Sequence, residues 1–174
     1  RVDTLSERSC YPVGKLAAES LCAAYKMQYN VPVRIMRIAH TYGPLMPLND
    51  GRVFADFVSN ILRNEDIALN SDGSAERPML YISDAVRAYF RILLQGETGE
   101  AYNVVSDEQI SILYLAKTLV DLCPNKRLKV VFLKKEIGNG YLQAKFKNNR
   151  YSSEKLKELG WKQHYSVREG FRRT

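Results

Sequence analysis

The sequence predicts an α/β fold. Segments with apolar residues at three- and four-residue spacings alternate with short β-branched segments, and turn-forming residues separate them. The composition agrees: 45% hydrophobic and 26% charged residues in a chain of 174 suit one ordinary globular domain with a real core. No internal repeat or low-complexity tract interrupts the alternation.

Residues 11–29 read as a helix, with Leu16, Ala17, Leu21, Ala24 and Tyr25 on an apolar face and Asn30-Val31-Pro32 as its stop. Residues 33–38 read as a short, largely buried strand, and 40–51 as a loop rich in Gly and Pro. Val53, Phe54, Phe57, Ile61 and Leu62 mark a second amphipathic helix. A strand at 67–69, a turn at 71–74 and a strand at 79–82 follow. Ser83 is expected to cap a helix through Asp84, Val86, Tyr89, Phe90 and Leu93 that Gly96 stops. Then come a strand at 101–105, a helix at 112–122 capped by Ser111, and a strand at 129–133. Residues 134–150 have weak periodicity and read as loop or mixed structure. Ser152 or Ser153 caps a last short helix ending at Gly160.

Several function classes are set aside at this stage. No run of 18 uncharged apolar residues exists, so no membrane-spanning helix is expected. The first residues form neither a signal nor a transit peptide, and the lack of an initiator Met suggests a piece of a longer polypeptide. Cys10, Cys22 and Cys123 are an odd, scattered set without a CxxC pair. They argue against a disulfide scaffold or zinc ribbon, and the expected setting is the cytoplasm. No metal site is expected.

The net charge of +7 is unevenly spread. Residues 1–125 carry 12 Lys and Arg against 15 Asp and Glu, whereas residues 126–174 carry 14 against 4. Such a basic stretch suits a solvated surface, nucleic acid, an acidic membrane surface or a phosphorylated small molecule. Phe146, Tyr151 and Trp161 are available for stacking, but no RNP, KH or helix-turn-helix pattern accompanies them.

Tyr11 and Lys15 lie four apart and so share one face of the first helix. An ammonium beside a phenol favours the phenolate, which makes such a pair a base usable near neutral pH. Chance alone predicts about 0.8 Tyr/Lys pairs at this spacing. The chain holds three: Tyr11/Lys15, Tyr141/Lys145 and Tyr151/Lys155. No G-x-G-x-x-G or Walker loop occurs, so the chain carries no dinucleotide-phosphate motif of its own.

Context selects the first pair. Its helix leads to a strand, then to Arg37-Ile38-Ala39-His40-Thr41-Tyr42-Gly43-Pro44 and Asp50-Gly51-Arg52-Val53. Arg77-Pro78-Met79-Leu80-Tyr81-Ile82-Ser83-Asp84, Gly99-Glu100-Ala101-Tyr102-Asn103-Val104 and Leu159-Gly160-Trp161 complete the series. In this order the motifs resemble the C-terminal half of the extended short-chain dehydrogenase/reductases, the NAD-dependent nucleotide-sugar epimerases, dehydratases and decarboxylases. The resemblance implies the end of a doubly wound, Rossmann-like sheet with the catalytic helix (residues 1–50) and mainly a small α/β nucleotide-sugar lobe (residues 51–174), some of whose segments return to the first domain. By this resemblance the N-terminal dinucleotide-binding half is expected to lie outside the present chain.

By the same resemblance, Tyr11 takes the proton from the sugar 4-hydroxyl as hydride passes to NAD. Lys15 holds the nicotinamide ribose and keeps the Tyr acidic. His40 stands where the family usually has Asn and contacts substrate and cofactor. Arg77 and Arg150 correspond to diphosphate-binding arginines, and Arg52 begins the substrate-binding helix. Asp84, by its place alone, reads as a first-turn helix residue favoured by the helix dipole, with only an indirect role in the site. Arg8-Ser9-Cys10-Tyr11 and Asp50-Gly51-Arg52-Val53 look most like UDP-glucuronate decarboxylases. A dTDP-glucose 4,6-dehydratase or a nucleotide-sugar 4-epimerase is the alternative, and a basic nucleic-acid module or an inactive fragment the non-enzymatic one. The expected partners are a nucleotide-diphosphate sugar and a second copy of the parent, without membrane or nucleic acid. This chain alone is expected to be inactive.

Overall fold

The computed structural model describes residues 5, 6, 9–133 and 151–174. Arg150 and the pair Tyr141/Lys145 therefore lie outside the described residues. In chain order the elements are α1 (Cys10–Tyr29), β1 (Ile35–Ile38), β2 (His40–Tyr42), α2 (Val53–Leu62), β3 (Ile67–Leu69), β4 (Glu76–Tyr81) and α3 (Ile82–Gln95). They continue with β5 (Ala101–Val104), β6 (Gln109–Ser111), α4 (Ile112–Leu122), β7 (Val130–Phe132), α5 (Glu154–Glu158) and α6 (Val167–Arg172). The α/β class is as the alternation predicts. No helix among the described residues is long and apolar enough to cross a membrane.

Among the described residues the strands form three patches. β1 pairs in parallel with β5, and β3 with β7; β4 lies between β2, parallel, and β6, antiparallel. The chain changes partner at Ala39. Ile38 is the last residue of β1 in register with Val104, the Ala39 amide donates to the Val104 carbonyl at 3.0 Å, and His40 then pairs with Met79 of β4. The segment expected to be loop from residue 40 thus begins as a strand, because β4 offers it a ladder that local sequence cannot reveal.

Two apolar cores flank this change of partner. One joins Phe54 and Phe57 of α2, Leu115 and Leu119 of α4, Val167 and Phe171 of α6, and Tyr42. The other joins Ala85, Ala88 and Ile92 of α3 with Tyr102, Val104, Leu156 and Trp161. Tyr42 anchors β2: its ring stacks on Phe171 at 3.8 Å between centroids, and its hydroxyl donates to the Val167 carbonyl at 3.0 Å. Burial pushes this phenol well above its ordinary pKa, with the nearby Glu108 charge adding to the shift, so it stays a donor. Asp84, in the first turn of α3, is fully buried and accepts the His164 and Tyr165 amides at 3.0–3.1 Å, while its own carbonyl accepts the Trp161 indole N–H. It ties the C-terminal segment to α3.

α1 forms as the spacing predicts but buries no side chain, and Leu16 and Leu21 are exposed. Two local expectations are corrected. Arg37 and Ile38 of β1, expected to be largely buried, are exposed as well. Ser83 does not cap α3, because the helix already begins at Ile82 with Tyr81 at the cap position. Ser111 caps α4 as expected, accepting from the Tyr114 amide at 3.0 Å. Asn30 ends α1 in the left-handed region at φ 53°. The strand β6 and the helix α6 were not foreseen; each is too short to show a period.

Candidate active site

A cavity of about 860 Å³ opens where the chain passes from β1 to β2, beside the carboxyl ends of β1 and β5. Open α/β sheets place ligands at such ends. Tyr11 reaches it from α1, Arg37 and Ile38 from β1, His40 and Thr41 from β2, Arg52 from the turn before α2, and Glu76 and Arg77 from β4. Asn103, Gln109 and Tyr151 complete the polar lining.

The Asp50-Gly51-Arg52-Val53 motif builds one side. Gly51 turns at φ 76°, a conformation that other residues adopt at a cost, and this brings Asp50 back to Arg52. The Asp50 carboxylate accepts the Arg52 amide at 3.0 Å and its Nε at 2.5 Å, while Nη1 donates to the Thr41 carbonyl at 3.3 Å. The guanidinium also lies 4.7 Å from the Phe54 ring centroid. Hydrogen bonding from Arg52 holds the Asp50 carboxyl below its ordinary pKa. The Arg52 side chain is thereby fixed at the mouth of the cavity.

Arg77 stands on β4, two residues before the partner of His40. Its Nη1 donates to the Glu76 carbonyl at 2.6 Å, and no carboxylate among the described residues pairs with it. It pairs with neither the Glu76 nor the Asp84 carboxylate, and Asp84 is engaged elsewhere. His40 is exposed on β2 where it lines the cavity. Partial desolvation by the surrounding protein, with the positive charges of Arg77 and then Arg52, holds its imidazole below the ordinary pKa.

Tyr11 is 72% exposed, and the Lys15 ammonium lies 5.5 Å from its ring centroid. α1 is joined to the sheet by a bidentate ion pair: Arg37 Nε and Nη2 donate to the Glu19 carboxylate at 2.8 and 2.5 Å. In the third Tyr/Lys pair, Tyr151 also lines the cavity, but Lys155 is turned to Glu100 and to the Tyr102 ring, 4.8 Å away.

The fold thus brings Tyr11, His40, Arg52 and Arg77 to one cavity, with Lys15 against Tyr11. Arg150 lies outside the described residues. Arg37 and Asn103 line the cavity without having been singled out, although both stand in motifs of the series. Gln109 gave no signal, since β6 exists only through its pairing with β4.

The family model described as "NAD dependent epimerase/dehydratase family" matches residues 2–105. UDP-glucuronic acid decarboxylase 6 of Arabidopsis thaliana is 35% identical over 131 residues, covering 75% of this chain and 38% of that relative. UDP-glucuronic acid decarboxylase 1 of the same plant is 31% identical over 173 residues, covering 99% of this chain and again 38% of the relative. The chain thus spans well under half the length of these curated relatives. Among solved structures, RMD from Pseudomonas aeruginosa complexed with NADPH superposes with a TM-score of 0.82 at 28% identity, over 97% of this chain and 55% of that one. UDP-glucuronic acid 4-epimerase from Bacillus cereus, in complex with UDP-glucuronic acid and NAD, gives 0.78 at 26%, over 95% and 51%. These covered shares match the expectation of a partial chain with a Rossmann-like α/β fold. With the family model spanning more than half of its residues, the chain belongs to the NAD-dependent epimerase/dehydratase family.

Proposed function

We propose that the polypeptide carrying this chain modifies a nucleotide-diphosphate sugar by transient oxidation at C4, and that its reaction is the decarboxylation of UDP-glucuronate. The observation that carries this reading is the convergence of Tyr11 with His40, Arg52 and Arg77 on one cavity. The named decarboxylase relatives support the choice of reaction.

The donor set suits the nicotinamide end of NAD. Tyr11 and Lys15 supply a hydroxyl and an ammonium from one helix face, and neither is ion-paired among the described residues. When bound there, NAD supplies a hydride acceptor that later returns the hydride, so the sugar undergoes no net oxidation. Tyr11 takes the hydroxyl proton at C4 and gives it back on reduction. Lys15 holds the ribose. Arg52 and Arg77 clamp the diphosphate, for which guanidinium forks are suited, and His40 hydrogen-bonds substrate and cofactor. A ketone at C4 makes the C5 carboxylate a β-keto acid; carbon dioxide leaves and C5 takes a proton. The division at residue 50, a homodimer in the parent and a cytoplasmic setting belong to the same reading, as does a contribution of Arg150 to the diphosphate clamp. The exposed Leu16, Leu21 and Met27 of α1 offer apolar surface for the dimer contact.

The test is product mass after incubating the polypeptide, in its longest expressed form, with NAD and UDP-glucuronate. Loss of carbon dioxide that vanishes in Tyr11→Phe upholds the reading. A new isomer of unchanged mass replaces it with a 4-epimerase. Water lost from dTDP-glucose, with UDP-glucuronate untouched, replaces it with a dehydratase.

A further inference from the structure

We infer that seating a diphosphate in the β1–β2 cavity takes up a proton at His40, so that the nucleotide sugar binds more tightly as the pH falls through the imidazole range. The inference rests on the reading of this cavity as a nucleotide-diphosphate site.

The geometry is a cluster of cations around one imidazole. His40 stands on β2 opposite Met79, two residues along β4 from Arg77. On its other side, Arg52 donates to the carbonyl of Thr41, the residue after His40. Arg37 lines the same cavity from β1. Arg37 is ion-paired with Glu19 and Arg52 with Asp50, while Arg77 has no carboxylate partner among the described residues. Glu76 is the carboxylate that lines the cavity itself, and Tyr11 and Tyr151 add phenols.

Without an anion, partial desolvation and the Arg77 and Arg52 charges favour the neutral imidazole. A diphosphate set between Arg52 and Arg77 reverses the sign of the local field, which then favours imidazolium. The sign of the linkage follows. The liganded form has the higher pKa, so it binds more protons than the empty form, and affinity gained at low pH is lost as the pH rises through the liganded value. Carboxylic acids, phenols and guanidinium groups ordinarily titrate outside the range from about pH 5.5 to 8, and imidazole within it. The diphosphate diester of a nucleotide sugar is fully ionised throughout. His40 is therefore the group in this cavity placed to give a pH slope.

The experiment is calorimetric titration of UDP-glucose into the longest expressed form of the polypeptide, from about pH 6 to pH 8, in two buffers of different ionisation heat. The dissociation constant is expected to fall about fivefold to tenfold from pH 8 to pH 6, with proton uptake on binding. His40→Asn and His40→Gln abolish slope and uptake, and His164→Asn keeps both. A wild-type affinity flat in pH, or a slope surviving in both His40 variants, overturns the inference and leaves the site reading standing. No binding of UDP-glucose at either pH overturns the site reading, and the inference with it.

Discussion

Glu19 and Arg37 form a two-point ion pair that joins α1 to β1, with Nε–Oε1 and Nη2–Oε2 distances of 2.8 and 2.5 Å. The pair matters because α1, which carries Tyr11 and Lys15, buries no side chain. A charged clasp on a solvated face therefore fixes the helix against the sheet. Tyr11 at one end of that helix reaches the same cavity that Arg37 lines.

Glu19→Gln should loosen α1 with little effect on global stability, since an exposed ion pair contributes about 0–1 kcal/mol. Amide hydrogen exchange is expected to speed up along 10–29 while exchange in β4 stays unchanged. Acid should act in the same way. The hydrogen bond from Arg37 holds the Glu19 carboxyl below its ordinary value, so its contribution is complete above about pH 4.5 and is lost as the pH falls through the native value. Equal exchange along α1 in the variant and the wild type would sink the clasp.

Gly170→Ala should destabilise the core around β2. A Cβ at Gly170 would come within 2.9 Å of the Tyr42 ring carbon Cζ and closer still to its hydroxyl oxygen. Overpacking of this kind costs about 1–3 kcal/mol, or roughly 2–10 °C in Tm for a chain of this size. Adding Tyr42→Phe removes the nearer atom and should recover part of the loss. A thermal scan of the two variants checks both statements.

Asp84→Ala should cost about 2–4 kcal/mol, because the part-buried His164 and Tyr165 amides lose a fully buried acceptor. A urea midpoint within error of the wild type would contradict this. The loss falls on the fold and reaches the cavity only indirectly, which gives Asp84 a structural role.

Arg77→Lys should leave the fold intact, since the described contact of its guanidinium is one bond to the Glu76 carbonyl. Affinity for UDP-glucose should drop about tenfold, as a point charge replaces a planar fork. Equal affinity by calorimetry would remove Arg77 from the diphosphate clamp.

Glu169 should titrate near pH 2. Arg172 and Arg173 both donate to its carboxylate, at 2.7–2.8 Å, and hold it at about 2. The depressed value means that its support of α6 is present above about pH 4.5 and lost on further acidification. A carboxyl carbon NMR titration reads this directly, and a midpoint near 4.5 would show that the two arginines do not hold it.

The longer elements were legible because their periods are long enough to count. Phe54 and Phe57 of α2 and Leu115 and Leu119 of α4 repeat at helical spacing and lie in the core. The same pattern in α1 marks the helix, although Leu16 and Leu21 have no surface to cover them here. Periodicity reports that a helix has an apolar face, not what meets it. β2 and β6 were missed for a related reason. A three-residue strand is specified by its partner, and β4 is that partner for both.

By itself the sequence determined the α/β class and the ordered motifs of the family, because these are written in local spacing, and through them it put forward Tyr11, Lys15, Arg52 and Arg77 as candidates. Tertiary structure decided where they meet. The switch of strand partner at Ala39 sets His40 beside Arg77, and Asp50 turns back at Gly51 to hold Arg52 against Thr41. Contacts between residues far apart in the chain exist only once the strands have paired, and no local pattern encodes that pairing.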